Sequence, residues 1–441
     1  MRGLLSGVIL SALAAIPAAG QQFTTLKGHG GPVMGVRVDD ATGRVATASF
    51  DNSVGLWDER EPTWLEGHAA AVNTVLFLGQ GRAASAGDDF TVILWDLARG
   101  TPTRLAAHKG KVVDLAQSPD GALLASAGWD GAIWLWPLDA PDGLGGADPR
   151  LLTGHEAGVN AVAFAADGGR LYSASADGTI RIWDVADGSH RILANQGFGV
   201  NRILMGPGDA WLAYGAVDGV TRVIDPVTGD QIADFSLDRR PILSLSHHAP
   251  TGQLAVGDGH GYIMMIDTGD WRITRDFRAM RRGPVWALDF SADGTAILAA
   301  GLDDVVYSWP VAMLDEFDPA GGAERQSFLR DPEEMPNGER QFMRKCSICH
   351  ALTPPPSRKA GPTLHGVFGR KAGAVPDYPY SDTLATSDIT WTDATIDALF
   401  DMGPDHYIPG SKMPMQVIAA STDRQDLIAF LRSATAPDKE N

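Results

Sequence analysis

A seven-bladed all-β propeller followed by a small all-α domain is the multidomain architecture that the 441-residue sequence predicts. Three observations carry it. A unit of alternating apolar residues closed by Trp-Asp, or a variant of it, recurs seven times over the first three-quarters of the chain. The alternation stops after Pro310, and beyond a stretch broken by Pro and Gly comes a helical pattern that ends in Cys-x-x-Cys-His.

Composition sets the outer limits. With 44% hydrophobic and 20% charged residues the chain is ordinary globular protein, long enough for two or three domains. Lys+Arg at 36 against Asp+Glu at 54 leaves a net charge of −18, the wrong sign for coating a phosphate backbone or an anionic bilayer. Nucleic acid is excluded as an expected partner. Two cysteines allow at most one disulfide, so packed cores must hold the fold.

The chain begins Met1, Arg2, Gly3 and runs apolar from Leu4 to Ala19, with the small residues Ala18, Ala19 and Gly20 at its end. That pattern predicts a signal peptide over residues 1–20, cleaved near Gly20. An uncleaved anchor is the alternative, but the run is shorter than the roughly 20 residues that cross a bilayer core. The expectation is an exported, periplasmic chain whose mature form does not insert in the membrane.

The repeat occupies residues 21–310. Its anchors are Leu56-Trp57-Asp58, Leu94-Trp95-Asp96, Leu135-Trp136-Pro137 and Ile182-Trp183-Asp184, then the weaker Val223-Ile224-Asp225, Met265-Ile266-Asp267 and Ser308-Trp309-Pro310. Successive anchors lie 38, 41, 47, 41, 42 and 43 residues apart, the period of a four-stranded propeller blade. An Asp stands six residues before the anchor at Asp51, Asp89, Asp130, Asp177, Asp218 and Asp303, where a short carboxylate accepts backbone N–H bonds in a tight turn; His260 breaks the series. His29, His68, His108 and His155 precede their anchors by 27 or 28 residues, which lets His and Asp pair inside each of those blades. One His per blade favours this structural role over metal binding or catalysis.

These residues resemble the WD-repeat β-propeller family. The resemblance implies a His, Asp, Ser and Trp network at His29, Ser49, Asp51 and Trp57 and at His155, Ser175, Asp177 and Trp183, with Gly87 and Gly128 replacing the Ser in blades two and three. It also implies that the stretch from Phe23 to Leu26 is the outer strand of the last blade, so that the chain start closes the ring and removes a free sheet edge.

Residues 311–336 carry Pro319, Gly321, Gly322, Pro332 and Pro336 and read as a linker. The second domain spans 337–441. Cys346 and Cys349 sit three apart on one helical turn, spaced to reach the two vinyl groups of one haem, with the imidazole of His350 adjoining. The same Cys-x-x-Cys could serve as a redox dithiol or as half of a zinc site. Zinc would need a second ligand pair, and the chain has no further cysteines; a thioredoxin-like dithiol would need a βαβ setting.

Downstream come the run from Gly361, Pro362, Thr363, Leu364 and His365 to Gly369, Arg370 and Lys371, then Tyr378 and Tyr380, Ile389 and Trp391, and Tyr407 to Met413. These motifs resemble the mitochondrial-type, class I cytochrome c family across residues 337 to 435. The resemblance implies one covalent haem c, its iron ligated by His350 and Met413, with Cys346 and Cys349 forming the thioethers. It implies that the Pro362 carbonyl accepts the imidazole N–H and that Arg370, Tyr380 and Trp391 line the propionates. The pattern from Asp423 to Ser433, capped by Thr422, predicts a C-terminal helix, and the resemblance implies that it crosses the first helix at Gly338 and Phe342. Met415, Met402, His365 and His406 are rival ligands, and the family position favours Met413.

With both axial positions filled, such a haem offers no open site to substrate and its chemistry is one-electron transfer. Lys345, Lys412, Arg344 and Lys371 are the basic residues expected at the haem edge, yet residues 332–441 hold 11 basic and 14 acidic residues, a net −3. Three functions stay open: an electron-transfer cytochrome with the propeller as docking scaffold, a propeller oxidoreductase with its own site feeding the haem, and a non-redox assembly or sensor protein. Phe50 and Trp129, each just before a turn Asp, are the expected anchors for a protein partner on the propeller face.

Overall fold

The computed structural model describes residues 23–58, 61–138, 148–236, 241–280, 282–314 and 336–436, within the last stretch leaving out 348, 355–358, 377, 412 and 414–416. The signal peptide, nearly all of the linker, Lys412 and Met415 lie outside the described residues.

Alternating strands separated by Gly- and Asp-rich turns build the blades. The chain enters through β1 (Thr24–Lys27) and makes the first full blade from β2 (Val33–Val38), β3 (Val45–Ser49), β4 (Ser53–Asp58) and β5 (Glu61–Glu66). The unit recurs as β6 to β9 over 72–106, β10 to β13 over 112–153, β14 to β17 over 159–195, β18 to β21 over 200–236 and β22 to β25 over 242–278. Strands β26 to β28, over 285–310, lack a fourth strand of their own. β1 supplies it, pairing antiparallel with β28 in the register Thr24 to Ser308 and Lys27 to Val305. The described strands thus form seven four-stranded sheets, and the ring closes on the chain start as the repeat register predicts. After Pro310 a short 3₁₀ turn, Val311–Met313, carries Leu314 into the core of the last blade.

Blades pack through small residues facing large ones. Ala46, Ala48, Ala84, Ala86, Ala125 and Ala127 on the second strands are fully buried, and the anchors Trp57, Trp95, Trp183 and Trp309 are each 1% exposed. A Cβ on Gly215 would fall 2.2 Å from Ile242 of the next blade, so glycine there sets the approach of the two sheets. Around the central channel Asn73, Asn160 and Asn201 each donate a side-chain amide to the carbonyl that opens the next inner strand, Val112, Val200 and Ile242, at 2.9–3.0 Å. These bonds stitch consecutive blades where the packing is tightest.

The His and Asp pairs form as the spacing predicts, but the third member of the network differs. In blade four His155 Nδ1 donates to Asp177 at 2.8 Å, Ser173 Oγ donates to His155 Nε2 at 2.7 Å, and Trp183 Nε1 donates to Ser173 Oγ at 2.7 Å. This assignment satisfies every donor and acceptor only with a neutral imidazole. Thr47, Ser85 and Ser126 hold the same place in blades one, two and three. Ser49 and Ser175, expected in that role, instead donate to loop carbonyls, among them Pro32 and Gly158 at 2.9 Å. The reason is position along the strand. Residues two apart share a face of β15, and Ser173 lies inside the strand level with both rings, whereas Ser175 ends it beside the loop. Gly87 and Gly128 therefore remove nothing, and blades two and three are complete. In blade six Asp258 stands two residues before His260 and takes the turn, accepting from the backbone N–H of His260 and Tyr262 at 2.8 and 2.9 Å.

The second domain is helical: α1 (Asn337–Lys345), α2 (Asp382–Ala385), α3 (Asp393–Met402), α4 (Pro404–Tyr407) and α5 (Ser421–Ala434). α1 crosses α5 at the predicted residues. A Cβ on Gly338 would lie 2.0 Å from the Asp426 carbonyl, and Phe342 meets Phe430 at 5.5 Å between ring centroids. α5 begins at Ser421 with Ala420 before it and no side-chain cap, so Thr422 lies inside the first turn rather than capping it. Fixing of its start falls instead to Arg424, which donates to the Ile418 and Ala419 carbonyls and pairs with Asp397 and Asp401 of α3 at 2.8 and 2.9 Å.

Candidate haem site

The first turn after α1 places the Cys-x-x-Cys-His run. Cys349 and His350 both donate backbone N–H to the Cys346 carbonyl, at 3.0 and 2.8 Å, which keeps the run helical and sets both thiols and the imidazole along one side of it. Cys346 is 3% exposed, and burial pushes its thiol up to about 12; burial raises Cys349 as well. Among the described residues no group of three or more His, Cys, Asp or Glu side chains stands together to hold a metal ion.

His350 is held from behind. Its Nδ1 donates to the Pro362 carbonyl at 2.8 Å, and burial lowers its pKa, which leaves Nε2 as the basic nitrogen. Gly361 permits this approach, since a Cβ there would lie 2.5 Å from His350 Cε1.

One cavity collects the predicted residues. Cys346, Cys349, His350, Pro362, Arg370, Tyr380, Trp391 and Met413 all line it, with Leu364, Leu399, Phe400 and Ile408 among its apolar walls. Met402 is half exposed, and neither it nor His365 or His406 lines the cavity. Arg370 and Trp391 are joined through the backbone, Trp391 N–H to the Arg370 carbonyl at 2.9 Å. The Arg370 guanidinium is engaged within its own loop, donating to the His365 and Thr363 carbonyls at 2.7 and 2.6 Å. That clamp fixes the loop carrying Pro362. Tyr380 accepts from the Val375 N–H at 3.3 Å and packs edge-on against Tyr378, whose hydroxyl donates to the Ala360 carbonyl.

The cavity suits a flat, largely apolar group with a polar edge. Two buried polar atoms on its wall, Ser381 Oγ and Asn52 Oδ1, have no hydrogen-bond partner among the described residues. Such orphaned groups cost free energy unless a ligand meets them. Ser381 carried no signal in the sequence. Asn52 belongs to the propeller, as do Phe50, Ala69, Ala70, Ala71 and Asp88, which also line the cavity.

Comparison with known proteins agrees with this geometry. The model of the WD domain, G-beta repeat, matches residues 20–58, 60–96, 101–137, 148–184 and 272–310, and the cytochrome c model matches 336–435. Cytochrome c of Sesamum indicum is 38% identical over 107 residues, which is 24% of this chain and 94% of that protein. The chain belongs to the cytochrome c family. It carries this domain behind a WD-repeat propeller that the relatives' own length leaves no room for. Cytochrome c of Gibberella zeae is 37% identical over 102 residues, 23% of this chain and 95% of that protein, and that of Theileria parva 41% over 99 residues, 22% and 84%.

The propeller departs from the expected docking surface at one point. Phe50 is only partly exposed and faces the haem cavity, whereas Trp129 is 56% exposed with Lys111 5.6 Å over its ring. The two aromatics therefore do not act as one free patch.

Proposed function

We propose that the chain is an exported c-type cytochrome that transfers single electrons through one covalent haem, with the propeller as its protein-docking scaffold. The observation that carries this reading is the convergence of all eight candidate residues, drawn from a span of nearly seventy positions, on one apolar cavity. Cys346 and Cys349 would hold the haem through thioethers, and His350 and Met413 would ligate its iron. A haem so ligated supplies one-electron chemistry and has no vacant position for substrate.

The chain's own residues do the rest. Pro362 orients the imidazole; Ile408, Leu399 and Phe400 keep water from the ring face; Tyr380, Trp391 and Ser381 offer polar contacts at the edge. Lys345 lines the cavity mouth, and Lys371 is occupied by an exposed pair with Asp388 at 3.0 Å. A partner with a strongly acidic face therefore finds fewer cations here than a strongly basic surface would offer. Trp129 is the propeller residue we assign to partner contact.

Export rests on the pattern of residues 1–20. Among the described residues no helix is long and apolar enough to cross a membrane. Haem staining after denaturing electrophoresis tests the cofactor: the wild type should retain stain at full length, and Cys346→Ala with Cys349→Ala should lose it while keeping the propeller's strand circular dichroism. N-terminal sequencing of the mature protein should begin near Gln21.

A further inference from the structure

We propose that the propeller completes the haem pocket of its own cytochrome domain, the turn at Phe50 and Asn52 and the loop Ala69–Ala71 forming the outer wall of the cavity. The proposal rests on the cavity being a haem site, but the contact can be tested without haem.

Four observations support it. One cavity is lined both by Lys345, Cys349 and Met413 of the cytochrome domain and by Phe50, Asn52 and Asp88 of the propeller. The turn between β3 and β4 presents a polar atom to the cavity. Asn52 lines it, and its buried Oδ1 has no hydrogen-bond partner among the described residues. The residues of the loop between β5 and β6 at the wall are three successive alanines, short enough for another domain to sit against them. Charge fits as well: Lys359 of the cytochrome domain, half-buried, interacts electrostatically with Asp304 and Asp51 of the propeller.

The consequence concerns access. The partners of a haem protein dock at the haem edge, and here that edge is covered by a neighbouring domain joined through the linker. A bulky redox protein must displace the propeller wall before it reaches the edge, whereas a small reductant need not. The propeller is then a cover for the haem as well as a scaffold.

The test uses the full-length protein. Hydrogen exchange should show the amides of residues 66–72 protected in the wild type and about tenfold less protected in Lys359→Glu, which sets like charges side by side. Adding Asp304→Lys to that variant should restore protection. Ala70→Arg, which adds bulk and a cation to the wall that Lys345 also lines, reads the same contact from the propeller side if Lys359→Glu fails to fold. After haem staining confirms loading, reduction is followed with two probes, hexaammineruthenium(II) and a ferrous cytochrome c, each giving one electron to the ferric chain. Lys359→Glu should speed reduction by the protein probe about tenfold and leave the small probe within about twofold. Equal protection of residues 66–72 in wild type and both variants, or equal rates with the protein probe, would overturn the proposal. Absence of haem stain alongside intact protection would instead overturn the cytochrome reading and leave the contact standing.

Discussion

His350 and Pro362 are joined by a 2.8 Å hydrogen bond from Nδ1 to the backbone carbonyl, across a loop of twelve residues. The bond fixes which nitrogen points into the cavity, and its geometry depends on the residue between them in space, Gly361. A Cβ at that position would meet His350 Nδ1 at 2.7 Å and the Cys349 carbonyl at 2.9 Å, and the carbonyl cannot swing aside. Gly361→Ala should therefore rotate the imidazole off Pro362. The expected result is a lower yield of covalent haem, an altered visible spectrum and a loss of about 1–3 kcal/mol in the denaturation of the C-terminal domain. An unchanged spectrum and midpoint would show that the loop yields without moving the ring.

The hydroxyl of Ser173 serves two buried rings at once, His155 and Trp183. Ser173→Ala leaves both without their partner in a site with no water exposure, and should destabilise the propeller by about 2–4 kcal/mol. Ser175→Ala, which loses only bonds to loop groups, should cost about 1 kcal/mol. Chemical denaturation of the two variants distinguishes Ser173 as the shared partner from Ser175, which the resemblance implied; a reversed order would return Ser175 to the network.

Acid should weaken the propeller in two stages. Burial lowers the pKa of His108 and His155 below the usual imidazole range, so as the pH falls the unfolded chain takes up these protons before the folded one. Their contribution is complete above about pH 6.5 and is lost as the pH falls through the folded values. For Asp89 burial alone would raise the pKa, but hydrogen bonds from His68, the Ala69 N–H and the Thr91 hydroxyl hold it at about 2. Asp51, Asp130 and Asp177 are lowered in the same way, each against the effect of burial. These contributions are present above about pH 3.8 and vanish below it. Tm should be level from pH 8 to 7, decline below about 6.5 and fall steeply below about 4. Scanning calorimetry checks the curve; a Tm that rises on acidification to pH 5 would contradict it.

Much of this architecture is legible because it is periodic or local. Trp57, Trp95, Trp136 and Trp183 repeat at blade length and announce the sheets; Cys346, Cys349 and His350 lie within one turn and announce the site. Closure by β1 follows from the repeat beginning with its outer strand. What the sequence hides is set by position along a strand or by distance along the chain. Ser173 and Ser175 share a face of one strand, and only the depth at which the rings of His155 and Trp183 sit decides which hydroxyl meets them. Asp258 replaces the missing turn carboxylate of blade six from two residues away. Phe50 and Asn52 meet the cavity across some three hundred residues of chain, a contact that neither repeat nor motif encodes.

Met413 is the described methionine that lines the cavity, and its position is set by Ser411, whose Oγ accepts the Met413 N–H at 3.0 Å. A thioether donates weakly and favours ferrous iron, so the ligand determines both the spectrum and the potential. Met413→Ala should abolish the long-wavelength band of thioether-ligated ferric haem, lower the reduction potential and open the ferrous protein to carbon monoxide. Met402→Ala, at a half-exposed residue off the cavity, should change none of these. Met415→Ala should keep the band, because Met415 lies outside the family's ligand position. Loss of the band in Met415→Ala with retention in Met413→Ala would move the ligand by two residues and with it the assignment of the loop from Tyr407.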